Sequence, residues 1–238
     1  MFFRRRHHKL QKQHVDEVNI SHAGEFTSRN FVECVHVESA EGLIDCRTSF
    51  PNATELIFES CVSTDGTAIV TNLTRIMPLQ RLTTLRIKCL QFSVSKLIKL
   101  LCHTPNLRIL GLKSMPCYKR KNDYASIEQS EDFQFVSNTN IITDVTCNGA
   151  CTLEQIKLLV ALFPRLNSLT INRRVTYLES IIRFLLDRTN VNTRHLYSLC
   201  FSPVWHSRMD KVDRVLKCEA LLTDYTSKLI DNHLHLWW

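Results

Sequence analysis

The stretch TPNLRILGL, residues 104–112, is written a second time as FPRLNSLTI, residues 163–171. Both copies read Pro-x-Leu-x-x-Leu-x-aliphatic, and both follow an apolar stripe at helical spacing. Val94, Leu97, Ile98 and Leu101 precede the first; Leu153, Ile156, Leu159, Val160 and Phe163 precede the second. Such spacing is one face of a helix. A proline behind it has no amide hydrogen and drives its predecessor toward extended backbone, so the helix must stop there. The last two aliphatic positions of each run lie two residues apart, on one face of a short strand. Helix, stop and strand make one unit.

Further copies are FPNATELIF (residues 50–58), PLQRLTTLRI (78–87), NIITDVTC (140–147) and TRHLYSLCF (193–201), with a weaker one in FVECVHV (31–37). Aligned on the second aliphatic position, the anchors are Val35, Leu56, Leu85, Leu110, Val145, Leu169 and Leu199, separated by 21, 29, 25, 35, 24 and 30 residues. Leucine-rich repeats run about 20–29 residues, so the period is loose and the longest step holds an insertion, assigned to a loop at residues 115–128. Ile69, Val70, Leu73 and Met77, and Leu178, Ile181, Ile182, Leu185 and Leu186, supply two more helical stripes. A unit of this kind cannot bury its apolar face alone. Stacked units give an α/β leucine-rich-repeat solenoid, a horseshoe with parallel strands on the concave face and helices outside. The expected layout is a basic, unstructured tail over residues 1–30 and a repeat domain over 31–238. A last helix across Met209–Asp231 and a capping strand at His233–Trp238 are expected to close it.

FPNATELIF, LQRLTTLRI, LIKLLCHTPNLRILGL, CTLEQIKLLVALFPRLNSLTI and the ending LIDNHLHLWW resemble the right-handed α/β repeat region of F-box-type leucine-rich-repeat proteins, over about Phe31–Trp238. The resemblance implies a substrate receptor: an N-terminal F-box docks on the adaptor of a cullin-type (SCF) ubiquitin ligase, and the repeat surface holds the target. The 30 residues before Phe31 carry neither the length nor the apolar pattern of an F-box. The chain therefore corresponds to the target-binding part, and an adaptor joins it only if an F-box lies upstream. The alternative is a stand-alone repeat scaffold, or a decayed paralogue, with no ligase connection.

With the anchors turned inward, the residues beside them face the concave side. These are Glu55, Ile57, Glu59, Thr84, Arg86, Lys88, Ile109, Gly111, Lys113, Asp144, Thr146 and Asn148, then Ser168, Thr170, Asn172, Ser198, Cys200 and Ser202. Glu55, Glu59, Arg86, Lys88, Lys113, Asp144, Asn148 and Asn172 are the candidate protein-binding residues. Arg86, Lys88 and Lys113 form a basic trio suited to an acidic segment of a partner; the plain alternative is a set of solvated strand positions.

Other chemistries find little footing. Glycine is scarce, at 5 residues, and no glycine-rich phosphate loop follows a strand. The net charge of +7 owes five units to Arg4, Arg5, Arg6, Lys9 and Lys12, ahead of the first acidic residue Asp16. The body thus lacks the basic surface of a nucleic-acid binder. No run approaches the roughly 18 apolar residues of a membrane span. The chain is read as intracellular, cytoplasmic or nuclear, with ten cysteines as reduced and mostly buried thiols. No nucleophile, base and oxyanion donor are marked out, so no catalysis and no cofactor are expected. Cys147 and Cys151 lack two further zinc ligands. His233 and His235 read as two outward side chains on a strand, and no metal site is assigned. Trp237 and Trp238 are expected to cover the open end of the stack.

Overall fold

The anchors stand in one line. In the computed structural model, which describes residues 16–20, 32–60, 65–90, 92–115, 123–172, 177–202, 212–217 and 225–238, Val35 pairs with Leu56, Leu56 with Leu85, Leu85 with Leu110, Leu110 with Val145, Val145 with Leu169 and Leu169 with Leu199. All seven are buried. Two residues on, Val37, Phe58, Ile87, Leu112, Cys147, Ile171 and Phe201 form a second buried column, as the two-residue period of a strand requires.

The columns belong to strands β2 (Val32–Val37), β3 (Glu55–Phe58), β4 (Thr84–Ile87), β5 (Ile109–Leu112), β6 (Asp144–Cys147), β7 (Ser168–Ile171) and β8 (Ser198–Phe201). All pair in parallel and in chain order, without the order reversal that creates a ligand crevice in doubly wound sheets. The fold is therefore α/β, with a mostly parallel sheet. One backbone device recurs at each step from β3 to β8. The carbonyl of Thr54 accepts from the amides of Thr83 and Thr84, that of Thr83 from Arg108 and Ile109, and that of Arg108 from Thr143 and Asp144. Thr143 and Asn167 continue the series toward β7 and β8.

Helices α1 (Ala40–Asp45), α2 (Gly66–Ile76), α3 (Val94–Leu101), α4 (Asp123–Glu128), α5 (Glu131–Thr139), α6 (Leu153–Leu162) and α7 (Leu178–Leu186) join the strands. Their apolar stripes and the anchor columns form one hydrophobic core. Side chains start five of them. Ser39, Asp65, Ser93, Ser130 and Thr152 each accept from a backbone amide of the first turn, and Gln155 returns a bond to the Thr152 amide, the reciprocal arrangement that satisfies two otherwise unpaired donors. At the other end proline follows α2, α3 and α6, and α5 uses a different stop. Asn140, buried, donates from Nδ2 to the carbonyls of Val136 and Leu162 at 2.6 and 2.9 Å, and its Oδ1 accepts from the Ile142 amide at 3.2 Å. One amide side chain thus ends α5, ties it to α6 and turns the chain into β6.

Three spans differ from the sequence reading. Within residues 1–30, Asp16–Ile20 is a strand, β1, parallel to β2; an unpaired edge of β2 gives such a segment a full ladder of partners. Residues 1–15 and 21–31 lie outside the described set. Within the insertion, Asp123–Glu128 is helical and Ile127 packs on the core, while residues 116–122 are not described. The stretch read as one terminal helix is helical at residues 212–217, where Val212, Val215 and Leu216 are buried, but Thr226–Ile230 is a strand, β9. It pairs antiparallel with β10 (His233–Trp237), which lies antiparallel against β8. Asp231 and Asn232 join the two with φ of 50° and 63°, the left-handed pair that a two-residue hairpin turn demands. The sheet edge is thus β9, not the tryptophans: Trp237 stacks on His235 and Trp238 packs on the core. Among the described residues no helix is long and apolar enough to cross a membrane.

Replacing Asn140 by Ala removes the partners of the Leu162 carbonyl and the Ile142 amide, while the Val136 carbonyl keeps the backbone amide of residue 140, and we expect a loss of about 2–4 kcal/mol. Urea unfolding followed by circular dichroism checks this; a midpoint equal to that of the native chain refutes the linking role.

Candidate functional site

Opposite the core the sheet carries a second set of side chains, in three rows set by the same register. The middle row is His36, Ile57, Arg86, Gly111, Thr146, Thr170, Cys200 and His235. The row at the strand ends carries Glu59, Lys88, Lys113, Asn148, Asn172 and Ser202, whose amides bond in turn to Val37, Phe58, Ile87, Leu112, Cys147 and Ile171. That ladder holds the polar side chains at strand spacing. Arg86, Lys88, Lys113, Asp144 and Asn148 are exposed, whereas Glu55, Glu59 and Asn172 are half-buried.

Five of the eight predicted residues meet around one hollow. Glu59, Arg86, Lys88, Lys113 and Asn148, with Gly111 and Thr146, line a space of about 430 Å³. Gly111 leaves it open: the middle row carries side chains at Arg86 and Thr146 and none between them. Two predicted residues flank the hollow through hydrogen bonds. Arg86 Nε donates to Glu55 Oε1 at 2.6 Å, and Asn172 Nδ2 donates to Asn148 Oδ1 at 2.8 Å. Asp144 stands apart, in the row at the strand starts that aligns Glu55, Thr84, Ile109 and Asp144, accepting from Thr143 Oγ1 at 2.7 Å.

The electrostatics differ from a basic trio. Arg86 is paired with Glu55, and Lys88 Nζ lies 2.7 Å from Glu59 Oε1, which His36 Nδ1 also approaches to 3.1 Å. Two of the three cations are thus already opposed by carboxylates one strand back, and Lys113 makes no ion pair with a described residue. Burial on its own would raise the Glu59 carboxyl, but the hydrogen bonds from Lys88 and His36 and their charges outweigh it and hold its pKa below the ordinary 4.5. Among the described residues, the hollow presents a mixed lattice in which Lys113 has no opposing carboxylate.

Gly149 fixes the rim. A Cβ there would lie 2.7 Å from Ser114 Cα and 3.0 Å from the Lys113 carbonyl oxygen, so the turn after β6 touches the turn after β5, directly behind Lys113 and Asn148. Only glycine allows that approach.

Among the described residues, Cys46, Cys102, Cys147, Cys151 and Cys200 are free thiols. Cys147 and Cys151 lie together, and hydrogen bonding from Cys151, with burial, pushes the Cys147 thiol well up; Cys147 sits in the second core column and contacts Met115. At the far end of the face, Cys200 Sγ is 3.9 Å from His235 Nε2, and His233 Nε2 is 3.3 Å from Ser202 Oγ. Reading from sequence placed the two histidines side by side and missed Cys200 beside them, because 35 residues separate it from His235. Comparison of the chain with protein families, curated proteins and solved structures finds no match.

Because the folded pKa of Glu59 lies below its unfolded value, its contribution to stability is complete above 4.5 and fades as the pH falls through the folded value. A third of this side chain remains exposed, so the contribution is at most about 1 kcal/mol. Glu59→Gln is expected to destabilise by that amount or less at neutral pH and by nothing in strong acid. Unfolding curves at the two pH values test it; a difference that persists in acid would show another cause.

Proposed function

We propose that the chain is a non-catalytic, intracellular protein-binding module, a leucine-rich-repeat solenoid that forms the target-recognition region of an F-box-like component of a cullin-type ubiquitin ligase. The observation that carries this reading is the hollow on the face opposite the core, built from four consecutive strands and lined by Glu59, Arg86, Lys88, Lys113 and Asn148 with Gly111 and Thr146. Support for the solenoid comes from strands that follow chain order, anchors paired one to one, and the same forked backbone hydrogen bond at successive steps. Stacked units with one shared core do this, and they leave a long face free.

From β2 to β8 that face spans roughly 29 Å at ~4.8 Å per strand, the length of about nine residues of extended chain. A partner segment crossing the strands meets Lys113 as the unopposed charge and Asn148, Thr146 and the Gly111 backbone as hydrogen-bonding neighbours. An acidic side chain over Lys113, flanked by small or polar residues able to enter the hollow, matches that lattice better than a uniformly acidic stretch, which Glu55 and Glu59 would repel. Charge of this kind sets specificity and association rate more than raw affinity. The ligase assignment rests on the resemblance of the repeat region alone.

A photo-crosslinking residue at Thr146, in the hollow, is expected to capture a partner from cells that the same residue at Lys157, on α6, does not. Lys113→Glu should reduce that capture at least fivefold. Equal yields from both positions would overturn the docking surface. Recovery of the partner without a cullin adaptor would keep the binding module and remove the ligase assignment.

A further inference from the structure

The antiparallel return of β10 against β8 does what the parallel strands do not: it brings a His-x-His pair across from a cysteine. His235 is the register partner of Cys200, and His233, two residues earlier on the same face, stands beside Ser202. One ligand atom from each of Cys200, His233 and His235 lies within 4.8 Å of the others. The histidine rings are stacked at 6.1 Å, and Trp237 continues the stack on His235 at 5.4 Å. All three side chains are half-buried, on the face opposite the core.

We propose that Cys200, His233 and His235 form a binding site for a zinc-class transition-metal ion, with three protein ligands and a fourth position open to water or to an incoming ligand. A tetrahedral zinc with Zn–S of ~2.3 Å and Zn–N of ~2.05 Å holds its sulfur and nitrogen ligands about 3.5 Å apart. The observed 3.9 Å between Cys200 Sγ and His235 Nε2 closes to that by a small rotation of either side chain. One thiolate and two imidazoles are a borderline-soft set that suits zinc and excludes calcium and magnesium, which require oxygen. The Ser202 hydroxyl beside His233 and the Trp237 ring against His235 orient the imidazoles, as outer groups do around metal-bound histidines. On binding, the Cys200 S–H bond breaks, an S–Zn bond forms and the proton passes to solvent; no electron moves. The ion ties the terminal hairpin to β8, and its open position faces the same surface as the hollow, several strands away.

This site is independent of the protein-binding reading and is tested separately, on the full reduced chain with zinc or cobalt(II) as probe. Cobalt is expected to give a thiolate-to-metal charge-transfer band and the intense visible bands of a tetrahedral ion. Cys200→Ser should abolish the charge-transfer band, and His233→Asn or His235→Asn should weaken zinc binding at least about tenfold in a competition titration. Zinc should raise the melting temperature of the native chain and not that of Cys200→Ser, because an ion that binds only the folded state stabilises it. A native chain with no band, or a band that survives Cys200→Ser and therefore belongs to other cysteines such as Cys147 and Cys151, overturns the proposal. Circular dichroism of each variant, and Cys200→Ala as a second replacement, separate loss of metal from loss of fold.

Discussion

The structure depends on the in-register burial of one aliphatic column. Side chains alternate along a strand, so a slip of one residue at any step would turn Leu110 or Leu169 out to solvent and bring Arg86 or Asn148 into the core. Leucine-to-alanine changes at buried sites cost roughly 2–5 kcal/mol, and a slip would incur that loss at several positions together while burying charge. The register is therefore strongly determined even though the lengths between strands vary by more than a dozen residues. What the chain must keep constant is the pair of inward positions and the forked hydrogen bond that precedes each strand from β4 to β8; what it can vary is everything carried on helix surfaces and loops.

That division explains what was legible. The anchors and the helical stripes are recurrent and locally encoded, so their partners followed from sequence once the period was found. Five of the eight candidate residues converge on one hollow because their position on the outward face is fixed by the same alternation. Their pairing was not legible. Whether Arg86 meets Glu55 or solvent depends on side-chain reach across neighbouring strands, and no local pattern encodes it. The basic trio, read as free charge, is in fact largely opposed.

The C-terminal region misled for a different reason. Val212, Val215, Leu216, Tyr225 and Leu229 satisfy a helical spacing, but so few apolar positions are equally compatible with a short helix followed by a strand. The deciding signal is the Asp231-Asn232 pair. Both residues adopt positive φ, which those two types tolerate better than most, and the turn they make is worth little unless β8 offers an open edge to receive β10. A hairpin whose formation depends on a strand some thirty residues earlier cannot be recognised from its own sequence. The Cys200 and histidine cluster shares this origin, since it exists only because the chain reverses there.

The two surface features therefore have different physical roots. Within the parallel part, every neighbour on the outward face comes from the next unit in the same orientation, so similar positions are placed side by side and the result is a row: a carboxylate, two lysines, then two amides. Rows suit recognition of an extended partner, because each residue adds a small contact at a regular interval. At the terminal hairpin the strand direction changes, and residues two apart on β10 converge on residues two apart on β8 from the opposite sense. Convergence of that kind makes a corner with few, chemically distinct donors close together, which is what binding a single ion requires. A sheet that runs parallel until its last step and then turns back thus acquires both geometries without changing its core.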